Sequence, residues 1–582
     1  VSDDKTSSTS DTEAAVPYDH LIRVATRGYL HELDPQDPPP PTEVAAVLVQ
    51  RTNAEIISHN KETSAKGNDR YLRLKTLTTT QIGEILLHLH RVVRIAPPGM
   101  TSDPTQDIVA IYQPEGVDEG IYVCDDTQLR RLAREYNYSL SSHDFNEIKE
   151  VLADSAPRVS PSSDRDLVAV NNGVFDYASK RLLPFSPEMV FTSKSHVDWV
   201  QDPPNPVIHN DVDGTDWDVE SWMDEISDDP EVVRLLWEIM SAVVRPNVGW
   251  DKVAWFYSTV GSNGKGTLLA LIRNLCGDRA WTSIPIEAFA RDFTLEPLIR
   301  ASAVLTDEND VDGFVDRAAN FKAVITNDVI QINRKHKSVI SYQFRGFMVQ
   351  CVNETPRFKD RTGSFYRRQL IVPFERTFTG TERTYIKHDY VTRPEVLQYV
   401  LHKVLSGSFY RLSEPEACRQ ALEDYKSDND PVRGFYEEFY ESFVWNLLPW
   451  GFLYDLYKAW FAYTNPSGSA LGRKRFITHS ESVFKDPAFA PASVWASTGK
   501  TAQRTAGRIS NGEPLAVEYG LTSWTGTAGA RGSSTVATVP RSLPVSTRGL
   551  MRLTTTLSVP GRMSGPAGTS TPDSNRKEDG QP

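Results

Sequence analysis

The sequence predicts an α/β protein organised around a phosphate-binding loop, and three observations carry that prediction. Residues 253–257 are a run of large apolar side chains that enters TVGSNGKGT at 259–267. Leu268, Leu271, Ile272 and Leu275 then recur at helical spacing up to a capping Gly277. Residues 301–310 (ASAVLTDEND) form a second, short apolar strand that ends in Asp307-Glu308. Alternation at 329–332 and 339–344 brackets a basic tip at 333–337, and a third strand-like run at 347–353 ends in Asn353.

Each element has a physical reading. In a strand–glycine loop–helix unit, Gly261, Ser262, Asn263, Gly264, Lys265, Gly266 and Thr267 can turn consecutive backbone N–H groups toward a phosphate at the positive end of the helix dipole. Lys265 then reaches the outer phosphates. A strand that delivers two adjacent carboxylates suits nucleotide hydrolysis, because one can hold Mg²⁺ while the other polarises a water. Asn353 is a neutral amide able to orient that water, and Arg367-Arg368 stand immediately before another buried strand within 364–374 (SFYRRQLIVPF). The tip Arg334-Lys335-His336-Lys337 reads either as a solvated turn or as a contact for a polyanion.

Composition limits the alternatives. At 582 residues the chain exceeds a single core, so several domains are expected. A net charge of −13 argues against coating nucleic acid with the whole surface, while leaving room for a few basic loops. Cys124, Cys276, Cys351 and Cys418 are far apart, without metal-ligand spacing or a disulfide framework, which fits a reducing cytoplasm. No apolar run approaches the roughly 18 residues of a membrane span, and the polar, acidic first residues are unlike a secretory signal.

Taken in order, residues 1–16 are expected to be disordered, and 17–120 form a region of unknown function containing an extended spacer, DPQDPPPP, at 34–41. Residues 82–93 (IGEILLHLHRVV) read as helix, with His88 and His90 facing opposite ways and therefore not a metal pair. No strand-like Asp-x-Asp pair suggests primer synthesis here. Residues 121–250 comprise two amphipathic helices, the second capped by Ser142 or Asp144, a hairpin turning at Asn172-Gly173, and a helical stretch at 220–244. The loop, carboxylates and hairpin occupy 251–380, and 381–430 form a helical linker or lid. Within 431–494, Phe435, Phe439 and Phe443 have helical spacing, and Arg473, Lys474 and Arg475 form a basic end. From 495 to 582 the chain turns to Thr, Ser, Gly, Pro and Ala, with no acidic residue between 520 and 571, and reads as a low-complexity, disordered, locally basic tail.

These residues together resemble the superfamily 3 helicases, and most closely the C-terminal domain of phage and plasmid primase-helicases related to the poxvirus primase-helicase. The resemblance rests on GSNGKGT (261–267), LTDE (305–308), VQCVNETP (349–356) and FYRRQLIVPF (365–374), and on DLVAVNNGVFDYASKRLLPFSP (166–187) ahead of them. It implies an AAA+-like P-loop ATPase core, flanked by a smaller N-terminal α/β region and a C-terminal winged-helix-like module. It further implies ATP and Mg²⁺ as cofactors, a ring, typically a hexamer, and single-stranded or forked DNA as partner, alongside a separate primase and host replication proteins. By the resemblance Lys265 binds the β- and γ-phosphates, Asp307 holds Mg²⁺, Glu308 activates water and Asn353 senses the γ-phosphate. One of Arg367 and Arg368 acts on the neighbouring subunit's nucleotide, and Lys335, His336 and Lys337 contact DNA. Gly266 departs from the pattern, since a Ser or Thr hydroxyl normally follows the loop lysine. Either Thr267 replaces it as metal ligand, or the ion relies on Asp307 and waters. A replication initiator or loader, and a P-loop nucleotide kinase, are the alternative functions. The expected location is the cytoplasm, that of the host if the chain is phage-encoded.

Overall fold

The computed structural model describes residues 16–553 except 36, 64–69, 100–102, 310–313, 316–317, 336, 359, 361, 380–382, 465–469, 488, 506, 510 and 527–542. The chain divides into two compact units, 1–429 and 430–582. Among the described residues no helix is long and apolar enough to cross a membrane.

The first unit is centred on a five-stranded parallel sheet. In chain order its strands are β1 (Val253–Tyr257), β2 (Trp281–Thr282), β3 (Ala303–Thr306), β6 (Phe347–Val352) and β7 (Gln369–Pro373). The hairpin strands β4 (Val329–Arg334) and β5 (Lys337–Gln343) intervene between β3 and β6. The spatial order is β2-β3-β6-β1-β7. Burial on both faces explains why these strands read as continuous apolar runs. Alternation divides them between two cores: Ala254, Phe256, Leu305 and Cys351 face one side, with helix α1 (Lys265–Cys276), and Val253, Trp255, Val304 and Met348 the other.

Ahead of this sheet, five helices pack on a four-stranded sheet that includes Val92–Ile95 and Ile108–Tyr112. The helix expected at 82–93 runs instead from Thr79 to Leu89. Arg91, with φ 45°, breaks it and sends Val92 and Val93 into a strand. His90 Nε2 lies 2.7 Å from the Tyr136 hydroxyl, an ordinary packing role. The cap expected at Ser142 or Asp144 belongs to Ser141, whose hydroxyl accepts from Asp144 N while the Asp144 carboxylate accepts from Ser141 N.

The hairpin expected at Asn172-Gly173 turns one residue earlier, since Val170 pairs with Gly173 across Asn171 and Asn172. Gly173 has φ 156°, and a Cβ there would lie 2.5 Å from Leu183 O in the third strand of this meander. The helical stretch at 220–244 is two helices, Val219–Ile226 and Pro230–Val244, divided where Asp229 caps the second and Pro230 takes its first turn.

Among the described residues of the second unit, the helices Pro431–Phe439, Trp450–Thr464 and Arg473–Val483 pack around an aromatic core that includes Phe435, Trp445, Tyr457 and Phe476. Phe443 joins that core from a loop and not from a helix. The expectation of a disordered tail from 495 is corrected for its described residues, while 506, 510, 527–542 and 554–582 lie outside them. Trp495–Ser497 and Gly549–Arg552 are strands of a three-stranded antiparallel sheet, and Gly549–Arg552 is its centre, paired on one side with Leu447–Pro449. Its composition is poor in apolar residues, but Trp495 and Leu550 are almost fully buried, and tertiary pairing overrides the local bias. The fully buried Glu513 carboxylate accepts from Val444 N and Trp445 N at 3.1 and 2.9 Å. Burial raises its pKa, and those N–H groups oppose the rise. Ending the chain after residue 526 removes the central strand, so cooperative thermal unfolding of this unit is expected to be lost. A two-transition melt unchanged by the truncation would show that the strand contributes nothing.

Candidate nucleotide site

The parallel sheet delivers the predicted residues to one edge. Tyr257 of β1 is in register with Val352 of β6, so the residues that follow, Ser258 and Asn353, leave the sheet side by side. The loop then doubles back into α1. Ser262 and Gly264 hold left-handed backbones, φ 54° and 83°, and Gly264 is the N-cap of α1. For Ser262 that conformation costs about 1–2 kcal/mol, held in place by Phe378 N donating to Ser262 O at 2.7 Å. Asn263 is buried and braces the loop from within, its Oδ1 accepting from Lys265 N at 3.3 Å. Gly261 is open, with nothing near the position of a Cβ.

Lys265 is only 7% exposed. Its Nζ donates to Asn353 Oδ1 at 2.9 Å, to Ser258 O at 3.3 Å and to Val352 O at 3.4 Å, which joins the loop lysine to the predicted sensor amide. Burial lowers its pKa, opposed by the charges of Cys351 and Asp307. Asp307 and Glu308 follow the end of β3 and line, with Asn353 and Asn309, a cleft of about 670 Å³. Asn309 fixes this wall. Its amide donates to Gln350 Oε1 and Cys351 O at 3.0 and 2.9 Å, and its Oδ1 accepts from Ile286 N. Sequence reading missed Arg273, which lies 3.8 Å from Asp307 Oδ2 and 4.6 Å over the Trp281 ring. Its signal was available, because 265, 269 and 273 share one face of α1.

The residues fit a magnesium nucleotide in kind. Mg²⁺ is commonly held by one or two carboxylates together with phosphate oxygens, and Asp307-Glu308 line the cleft with Asn353, the partner of Lys265. The position facing Asp307 is that of Gly266, whose Cβ would lie 3.8 Å from Asp307 Oδ1. Thr267, about 100° further round the helix, lines a cavity of about 370 Å³ with Trp222 and Phe378.

The two arginines lie elsewhere. Both precede β7, at the starting edge of a parallel sheet whose finishing edge carries Lys265, Asp307 and Asn353. Five strand residues, roughly 16 Å, separate the edges. Arg368 donates to Ser364 O and Oγ at 2.9 and 3.0 Å, whereas Arg367 is exposed and makes no side-chain hydrogen bond or ion pair with the described residues. At the hairpin, Lys335 is exposed at the turn, Lys337 pairs with Asp126 at 3.2 Å, and His336 lies outside the described residues.

Residues 256–368, which hold this loop, carboxylate pair and hairpin, match a family of unknown function designated DUF5906. Residues 427–507 match the family described as poxvirus D5 protein-like. Solved structures similar to it include an apo form of the NrS-1 C-terminal region, at 16% identity over 69% of this chain and 85% of that one, with a TM-score of 0.38. A JCV helicase with a bound small molecule is similar at 14% identity over 36% of this chain and 58% of that one, with a TM-score of 0.23. Both superpositions are loose, and the site rests on its own geometry.

Proposed function

We propose that the chain is an ATP-hydrolysing DNA helicase of phage or plasmid replication that works as a ring, with each nucleotide bound where two subunits meet. The observation that carries this reading is the bond from Lys265 Nζ to Asn353 Oδ1, made at the carboxyl ends of β1 and β6 beside Asp307. Ligands of open parallel sheets bind at such ends.

In this mechanism the N–H groups of 261–265 and the Lys265 ammonium bind the phosphates. As Lys265 turns to them it releases Asn353, whose amide is then free to orient the attacking water. Glu308, exposed on the cleft wall, accepts that water's proton. Asp307 would hold Mg²⁺, which when bound neutralises charge on the phosphoryl oxygens. Arg367, unpartnered at the far edge, is suited to reach a neighbour's nucleotide and not its own. The winged-helix-like reading of 431–494 draws support from its helices and from the strand Leu447–Pro449, which pairs with Gly549–Arg552 beyond that range, and Arg473, Lys474 and Arg475 are exposed on the first turn of one helix and open to phosphates.

ATP hydrolysis measured with and without single-stranded DNA tests the proposal. A motor is expected to be stimulated by the single strand, an initiator to prefer an origin duplex, and a nucleotide kinase to ignore DNA. The double change Lys335→Ala with His336→Ala is expected to keep basal hydrolysis while abolishing strand displacement on a forked duplex. Unwinding that survives it removes the hairpin from the mechanism.

A further inference from the structure

The surroundings of Gly266 give a reason for the glycine. A Cβ at that position would meet Lys387 Nζ at 3.3 Å and Asp307 Oδ1 at 3.8 Å. The first distance is tighter than side-chain carbons ordinarily allow, so a larger residue must push the ammonium aside. Lys387 sits on helix α2 (Thr384–His388), whose Ile386 is buried in the same core as Leu268 and Leu271 of α1. The lysine is therefore aimed at the loop by a packed element.

Its side chain is half-buried, and its ammonium makes no hydrogen bond or ion pair with the described residues. It lines the 370 Å³ cavity together with Ser262, Gly264, Thr267 and Arg383. A partly desolvated charge without a partner among the described residues is costly to keep, and one turned to the positive end of the α1 dipole completes a positive surface for an anion.

We propose that Lys387 is a second phosphate-binding cation of the nucleotide site, reaching the outer phosphates through the space that a side chain at 266 would fill. This rests on the reading of 261–267 as a phosphate loop. Where the usual loop places a hydroxyl on the metal ion, this one places an ammonium on the phosphate. Part of the affinity for nucleotide is then independent of Mg²⁺.

The test is titration of the full chain with a fluorescent ATP analogue, once in EDTA and once with Mg²⁺. Lys387→Met keeps the apolar stem and is expected to weaken binding in EDTA about tenfold, as loss of one charged hydrogen bond does, while Lys387→Arg retains most of it. Gly266→Ser is expected to reproduce that loss, and to add nothing in the Lys387→Met background, because both changes act on one ammonium. Unchanged EDTA affinity in Lys387→Met, or additive losses in the double variant, overturns the proposal. Lys265→Ala separates the two levels. If it too binds as the wild type in both buffers, the phosphate-loop reading falls and Lys387 with it. If it fails to bind while Lys387→Met binds normally, only the role of Lys387 falls.

Discussion

Lys265→Ala is expected to lower kcat/KM for ATP by about 10²–10³, or ~2.7–4 kcal/mol, the range found when one preorganised donor to developing charge is removed. The ammonium is held among Ser258 O, Val352 O and Asn353 Oδ1 with only 7% exposure, so its loss removes a positioned positive charge that a neutral water at the same point does not restore. The fold should survive, because burial already disfavours that charge. The sign of the pH effect follows. With its pKa lowered by folding, Lys265 binds its proton more tightly in the unfolded chain, so its contribution to stability is gained as pH rises from the folded value toward the ordinary 10.5 and lost as pH falls back through it. The alanine variant removes that slope. Steady-state hydrolysis together with melts across alkaline pH checks both parts, and a variant that keeps more than a tenth of the activity sinks the assignment.

Arg367→Ala is expected to reduce hydrolysis by about 10³–10⁵, the worth of an arginine that stabilises transferring phosphoryl charge, while leaving nucleotide binding within about threefold. The reason is its placement: exposed, without a side-chain partner among the described residues, and at the sheet edge opposite its own loop. Arg368→Ala breaks the contacts to Ser364 and should cost far less. Mixing supplies the decisive measurement. Arg367→Ala subunits have an intact loop and Lys265→Ala subunits an intact arginine, so hybrid rings should recover hydrolysis that neither variant has alone. No recovery over a range of mixing ratios would place the arginine outside the neighbour's site, and a larger loss in Arg368→Ala would exchange the two roles.

Much of the geometry of the candidate site was legible in the residues because its signals are local. Strand β1, helix α1 and its end at Gly277 follow from an apolar run, a helical period and a glycine, and the hairpin from alternation on either side of a basic tip. Short-range misreadings came from competing local chemistry. The helix at 82 ended early because Arg91 took a left-handed backbone, and the stretch at 220 broke at Asp229-Pro230. The region from 495 misled for a different reason, since composition describes what a segment does alone, and Gly549–Arg552 is held by strands around 50 and 100 residues away.

By itself the sequence determined which groups could bind phosphate, metal and water, because chemistry goes with residue type and loop geometry with neighbours in the chain. It also marked Gly266 as the unusual position in that loop. Only the tertiary structure decided what stands beside that glycine. Register across β1 and β6 sets Asn353 on Lys265, the start of α1 sets Gly266 beside Asp307, and the packing of α2 brings in Lys387 from more than a hundred residues away. Such contacts depend on how elements stack and not on the order in which they are written, which is why no local pattern announced the lysine.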